Sequence, residues 1–392
     1  YFYTMPIQHI VLFDGNERDN LLPLTATRAV ADLRVGILTI KEKWEKLTNQ
    51  KVDTLTQDYL QAKYTYSQNE NTVFINASIL PTKELVEVIE KLANNIVLKN
   101  DASIIVIKTK DSISSLQDLK LVTQKLNSAI QQFNISTINF PWNIFSLNGQ
   151  EIKNDIQLLG LKPNPEKLSS TNTFLGNEIY VEDGVSCECS ILNSKNGPIY
   201  IGKDAEIMEG CTIRGTFALG EHATLKMQTK IYGDTTIGPH CKVGGEVSNS
   251  VFIGYSNKGH DGFIGNSVIG EWCNLGADTN NSNLKNNYGK VKAYNYPSKD
   301  FIDTGLQFCG LIMGDHAKSS INTMFNTGTV VGVCANVFGG GFHPKFVPDF
   351  AWNEKVFELE KAYEVAQRVM ERREIILSET DKNILKYIFD NK

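Results

Sequence analysis

The run Asn257-Lys258-Gly259-His260-Asp261-Gly262-Phe263-Ile264-Gly265, followed by Asn274-Leu275-Gly276-Ala277-Asp278-Thr279 and Ser282-Asn283, sets one histidine among small and polar residues. Imidazole, with an unperturbed pKa of about 6.5, can take a proton from an attacking amine at neutral pH. A histidine in a loop is commonly no more than a solvated side chain, so the reading depends on what holds it.

A second constellation lies near the start of the sequence. Leu12-Phe13-Asp14-Gly15 ends an apolar run on a glycine, and Arg18, Leu22-Pro23-Leu24-Thr25 and Thr27-Arg28 follow. A glycine after the first strand of an α/β sheet lets backbone amides approach phosphate oxygens, and arginine offers the same group a two-pronged fork. An ordinary βα loop has the same look.

The element that must carry the histidine is written in the spacing of apolar residues. Ile201, Ile207, Ile213, Leu219, Leu225, Ile231, Ile237 and Val243 recur every six residues. That period fits neither a helix nor a plain strand, and it is the hexapeptide repeat of a parallel β-helix. Four residues after each apolar one stands a small side chain, as at Ala205, Cys211, Ala223, Thr229, Thr235 and Cys241, with Phe217 the exception. Ile179, Val185 and Ile191 extend the register backwards across an outward loop at Ser194-Lys195-Asn196-Gly197. Phe263, Ile269 and Leu275 resume it, and it continues less regularly from Ile312 to Phe338. The histidine run interrupts the register between Ile253 and Phe263, which predicts a loop leaving a rigid coil for the groove between neighbouring prisms.

Before the repeats, Ile10-Phe13, Val73-Asn76 and Ile104-Lys108 read as strands, and Thr82–Asn95 and Leu116–Phe133 as helices with Thr82 an N-cap. This alternation predicts an α/β layer domain with a parallel sheet. The division expected is a leader at 1–8, the α/β domain at 9–175, the β-helix at 176–345 and a helical segment at 346–392. Within that segment Asn353 caps a helix running to Leu377, and Glu364 and Arg368 pair along it.

The net charge of −5 comes with interspersed signs, which argues against nucleic acid as a partner. There is no apolar stretch of membrane-spanning length, so neither a membrane nor secretion is expected, and a cytoplasmic location is. The seven cysteines lack metal-ligand spacing. Cys189, Cys211, Cys241 and Cys273 fall on the small inward position, where packing accounts for them.

From His260 to Asn283 the chain resembles the acetyltransferase half of the bifunctional N-acetylglucosamine-1-phosphate uridylyltransferase/glucosamine-1-phosphate N-acetyltransferase family, in which Gly-His, aromatic-x-Gly and Asn-[Ile/Leu]-Gly-Ala-x-Thr recur at the same spacings. The resemblance implies that His260 is the general base, that Asn274 and Asn283 meet the sugar, and that the backbone at Gly276-Ala277 meets acetyl-CoA. It further implies that Lys230 and Lys242 are candidates for the sugar phosphate. Phe263 and Ser248 stand where that family has a tyrosine and a lysine.

The second constellation, near the start of the sequence, resembles the sugar-1-phosphate nucleotidylyltransferases through Gly15, Arg18 and Pro23-Leu24-Thr25. By that resemblance Gly15, Arg18 and Arg28 bind the nucleotide, with Arg28 or Arg34 in place of a lost lysine. The loop lacks a second glycine, Ala29-Val30 replaces a Pro-Lys pair, and Asn76-Ala77 stands where a magnesium-binding aspartate is expected, so the metal ligands are unknown.

Over nearly its whole length the chain resembles a Bacteroidetes-type variant of the bifunctional family, through Leu12–Gly15, Arg34–Ile40, Asn322–Thr329 and Phe338–Phe342. The implied architecture is a Rossmann-like nucleotidylyltransferase domain, a left-handed parallel β-helix and a C-terminal helix. The implied partners are a sugar phosphate, a nucleoside triphosphate with Mg²⁺, acetyl-CoA and two further copies in a homotrimer, giving UDP-N-acetylglucosamine. The alternatives are an acyltransferase with a non-catalytic sugar- or nucleotide-binding first domain, and a regulatory or scaffolding subunit.

Overall fold

A computed structural model describes residues 9–100, 103–130 and 134–392. The first domain is built on six strands, β1 (His9–Phe13), β2 (Val52–Leu55), β3 (Thr72–Asn76), β4 (Ile96–Lys99), β5 (Ile104–Lys108) and β6 (Asn127–Ile130), in the order β2-β1-β3-β5-β4-β6. The sheet is mixed, not parallel as expected. β5 runs antiparallel to both β3 and β4, with the Asn100 amide donating to the Ser103 carbonyl at 3.1 Å at the open end of the β4–β5 pair.

Helices α1 (Ile40–Thr48), α2 (Asp58–Gln61), α3 (Lys83–Lys91) and α4 (Leu116–Thr123) surround this sheet. Thr82 caps α3 as read, its hydroxyl accepting from the Leu85 amide at 3.1 Å. The helix expected to reach Phe133 stops at Thr123, and its second half is the edge strand β6; residues 131–133 lie outside the described residues.

The β-helix begins at Thr173 and winds through three sheets of six, nine and ten strands. The first face starts with Thr173–Leu175, the second with Ile179–Val181 and the third with Ser186–Cys187. Every hexad aliphatic from Ile201 to Val243 is buried inside, and Phe217 is accommodated there as well. Three inward assignments fail. Leu192 and Ile264 point inside rather than Ile191 and Phe263, and Cys189 is an exposed corner residue with φ of 50°.

Helix α5 (Pro141–Leu158) joins the domains and lies along the outside of the second face. Its Gly149 lies against the Asp234 carboxylate, which a Cβ there would meet at 2.1 Å, so any larger residue would have to displace that side chain. The Arg34–Ile40 string is the mortar of that contact. The Gly36 amide donates to Asn148 at 2.8 Å, the Ile37 and Leu38 amides donate to Asp155 at 2.8 and 3.1 Å, and the Thr236 hydroxyl donates to the Gly36 carbonyl at 3.0 Å.

Between Asn283 and Cys309 the chain leaves the prism and forms a hairpin of Lys292–Asn295 with Asp300–Asp303, which the sequence reading missed. It packs against both domains through Val291 and Ala293. After the last coils, Ala351–Trp352 and Lys355–Val356 make a second hairpin whose turn holds Asn353 at φ of 50°. Asn353 is therefore not a helix cap. The helices beyond are α6 (Leu359–Glu371) and α7 (Glu379–Asp390), with Glu364 and Arg368 paired at 3.3 Å on α6. Among the described residues no helix is long and apolar enough to cross a membrane.

Candidate functional site

His260 is not on a loop that leaves the coil. Asn257 and Lys258 form a third-face strand paired with Lys242 and Val243, and Phe263–Gly265 begins the next first-face strand. His260 thus sits at the corner where the third face turns into the first. The next coil repeats this corner at Gly276–Thr279 and is bonded to it, the Asp278 amide donating to the Asp261 carbonyl at 3.0 Å. His260 and Ala277 are therefore neighbours along one prism edge.

The imidazole is exposed and makes no hydrogen bond among the described residues. The other residues assigned to this site divide between two faces. Lys230 is exposed on the first face, two coils below Phe263 in the same column. Asn283 lies at the far end of that face, its amide 2.8 Å from Asn266. Lys242 and Asn274 stand on the third face in the column Lys242, Asn257, Asn274, with the Asn257 amide donating to Asn274 at 3.0 Å. One copy of the chain places these groups on both flanks of the histidine rather than around a single pocket.

Inside the same corner lies a residue the sequence reading passed over. Lys258 occupies an inward position and is only 1% exposed. Its ammonium donates to the carbonyls of Gly244 at 3.1 Å and His260 at 2.7 Å. Burial holds its pKa down at about 8, with Asp261 and Asp278 acting in the opposite sense.

The first domain has a cleft of about 650 Å³ at the C-terminal ends of β1 and β3, the end of an α/β sheet at which ligands bind. Asp14, Gly15, Glu17 and Asn76 line one side, and Lys99, Ser103, Ser115 and Lys120 the other. Gly15 lines the cleft, and a Cβ there would lie 2.4 Å from the Glu17 carboxylate, so a larger residue would have to displace that side chain.

Arg18 and Arg28 do not reach into this cleft, which corrects their assignment to a nucleotide. Arg18 is buried and donates to Asp19 at 2.8 Å, the Thr25 carbonyl at 2.9 Å and Tyr59 at 2.5 Å. Arg28 faces the β-helix and pairs with Asp315 and Glu271. Arg34 is likewise engaged, its Nε donating to the Ile253 carbonyl at 3.2 Å.

The Asn76 amide donates to Glu17 at 3.1 Å and to the Ile104 carbonyl at 3.0 Å, which turns its nitrogen, not an oxygen, toward the acidic side of the cleft. The described residues hold no cluster of three His, Cys, Asp or Glu side chains able to bind a metal ion.

Residues 10–162 match the family model of sugar nucleotidyl transferases. The match covers the first domain through α5. The chain is 28% identical over 289 residues to a bifunctional sugar-1-phosphate nucleotidylyltransferase/acetyltransferase from Sulfurisphaera tokodaii, an alignment covering 70% of this chain and 62% of the relative. It is 32% identical over 113 residues to the bifunctional protein GlmU of Methanocaldococcus jannaschii, covering 29% of this chain and 26% of the relative. The chain thus spans less than two thirds of the length of these curated relatives. Among solved structures, AntD, an N-acyltransferase from Bacillus cereus in complex with dTDP and coenzyme A, aligns with 48% of this chain and 82% of its own, at 11% identity and a TM-score of 0.18, too low to bear on the fold.

Proposed function

We propose that the chain is a two-domain transferase that acetylates the amine of an amino-sugar phosphate, glucosamine-1-phosphate in the first instance, with acetyl-CoA as donor and His260 as general base. The observation that carries this reading is the pairing on one prism edge of an exposed imidazole with the Ala277 corner of the next coil, whose amide has no acceptor among the described residues. The amine nitrogen bonds to the thioester carbon while His260 takes its proton. The C–S bond then breaks, and the thiolate leaves with a proton returned by the imidazolium. Gly276 and Ala277 flank the acyl group, and Asn274, Asn283, Lys230 and Lys242 orient the sugar phosphate.

Lys230 and Asn283 lie on a different face from Lys242 and Asn274, so a complete pocket needs a wall from a second copy. The first face is suited to that. It exposes Ile191, Tyr232 and Met324, with Met227 and Ile321 along the His260 edge. An apolar face of this kind supports self-association, and a three-sided prism supports a trimer with one site per interface. The substrates belong to the cytoplasm, and the proposal places the enzyme there.

In the first domain the reading is transfer of a nucleotidyl group from a nucleoside triphosphate to the acetylated sugar-1-phosphate, giving UDP-N-acetylglucosamine. A second reading, favoured by the engaged Arg18 and Arg28 and by the orientation of Asn76, keeps the acetyl transfer and makes this cleft a lobe that only binds nucleotide or sugar. Two assays decide. Thiol release from acetyl-CoA with glucosamine-1-phosphate tests the first activity. Pyrophosphate release from UTP with N-acetylglucosamine-1-phosphate and Mg²⁺ separates the two readings of the first domain. Neither product would leave the scaffolding alternative.

A further inference from the structure

The third face is filled from inside by the column Ile207, Leu225, Val243, Lys258, Leu275, Ser319, Val337. One lysine among aliphatic neighbours is costly, because a buried cation loses its hydration. No ion pair among the described residues repays it. The acidic groups acting on it, Asp261 on its own corner and Asp278 on the next coil, do so across space. On the preceding coil the corner facing it is Gly244-Gly245, which has no ionisable side chain. The ammonium is spent on two backbone carbonyls, those of Gly244 and His260.

The bond to the His260 carbonyl fixes the direction of a peptide unit. The His260–Asp261 peptide is trans, so its C=O and N–H point to opposite sides. With the oxygen held by an amine inside the prism, the Asp261 N–H faces outward beside the His260 side chain. Both residues are exposed, and this N–H meets no acceptor among the described residues. A cation on the carbonyl also polarises the unit and strengthens its N–H as a donor. Behind the corner, the Thr279 hydroxyl bonds to the Gly276 carbonyl at 2.8 Å and the Ser319 hydroxyl at 2.9 Å, which fixes the next coil similarly.

We propose that the Asp261 N–H is a donor to the oxygen that gains charge when the thioester carbonyl becomes tetrahedral, and that Lys258 is the positioning residue that aims and polarises it. The inference rests on acetyl transfer at His260. As the amine nitrogen bonds to the carbonyl carbon, the π pair moves to oxygen and is met by this N–H; when the pair returns, the C–S bond breaks.

Lys258 is held near pH 8 by burial, so its loss of charge falls within an accessible range. Its folded pKa lies below the free value, so the penalty for burying the cation is greatest below about pH 8 and is relieved toward higher pH. Activity owed to the charged amine should therefore fall above about pH 8 while the stability contribution of the same residue rises.

The test uses the whole chain with acetyl-CoA and glucosamine-1-phosphate, and measures kcat and both KM values against pH for wild type, Lys258→Met, Asp261→Pro and the double variant. We expect a basic limb near pH 8 in wild type, about a tenfold lower kcat with no such limb in Lys258→Met, and both KM values within about twofold. Proline removes the N–H and should cost about 100-fold, and the second change should add little on top of it. A Lys258→Met enzyme with unchanged kcat and limb overturns the proposal, as does one that loses only substrate affinity. Should Lys258→Met not fold, a wild-type kcat flat from pH 7 to 9.5 overturns it equally. If the wild type turns over and His260→Ala does not, such a result leaves the general reading standing. A wild type with no acetyl transfer sinks both.

Discussion

The Arg28 guanidinium and the Asp315 carboxylate, 287 residues apart, are hydrogen-bonded across the seam between the first domain and the prism. Glu271 lies 3.2 Å from the same guanidinium, and the Thr27 hydroxyl also donates to Asp315. Arg28 and Asp315 are 4% and 3% exposed, so neither charge has water to fall back on. Arg28→Met should cost about 3–5 kcal/mol, because it leaves the buried Asp315 carboxylate without its cation, and Asp315→Asn should cost less, because Glu271 still faces the guanidinium. Replacing both by apolar residues of similar size should recover much of that loss. Urea unfolding of the single and double variants checks it, and a double-variant loss equal to the sum of the two single losses would show that the pair does not act as a unit.

His260→Ala should lower acetyl transfer by about 100-fold or more while acetyl-CoA binding stays within about twofold. Single-turnover rates with equilibrium binding separate the two effects. An unaltered rate would remove the histidine from the mechanism.

His316 is buried at the junction of both domains with α6 and α7, and burial pushes its pKa down to about 4. Between about pH 6.5 and 4 the unfolded chain binds this proton and the folded chain does not, so stability is lost as pH falls through that window. Asp14, Asp155 and Asp349, raised to about 6 by burial, work the other way, their contribution growing as pH falls below 6. His316→Phe should therefore gain on the wild type steadily as pH drops from 6.5 to 4.5, even if it begins less stable. Denaturant midpoints across that range would show a constant difference if the ring titrates freely.

Tyr232 is 44% exposed at the middle of the first face. If the proposed trimer assembles through this face, Tyr232→Glu should yield monomers and abolish acetyl transfer without unfolding the prism. Analytical ultracentrifugation with circular dichroism checks both, and a wild type that sediments as a monomer would discard the shared site.

The prism was legible because its constraint is local and repeats. The aliphatics from Ile201 to Val243 each fill the same kind of slot, so six-residue spacing found them. Where coil length changes, the reading slips by one. The inward position moves 18 residues from Leu225 to Val243 but 15 from Val243 to Lys258, and that shortening made a corner resemble a loop and hid Lys258. A lysine in register with Val243 was the available signal.

Long-range pairing left no such trace. Arg28 sits in a loop of the right composition for phosphate, and only the docked prism shows that its partners are Glu271 and Asp315. The strings that carry the family resemblance are likewise partly architectural, since Arg34–Ile40 serves the contact with α5 and the second face.

Helix α7 reaches back past the prism to α2 of the first domain, where Tyr387 stacks on Tyr59 at 3.9 Å and Asp381 lies 3.3 Å from Lys63. Together with α5 this makes the polypeptide a closed ring of contacts, prism to helices to sheet and back to prism. Each part is held by its neighbours on two sides, so heat should melt the described structure in one cooperative step, and cutting between α6 and α7 should split that single transition in two.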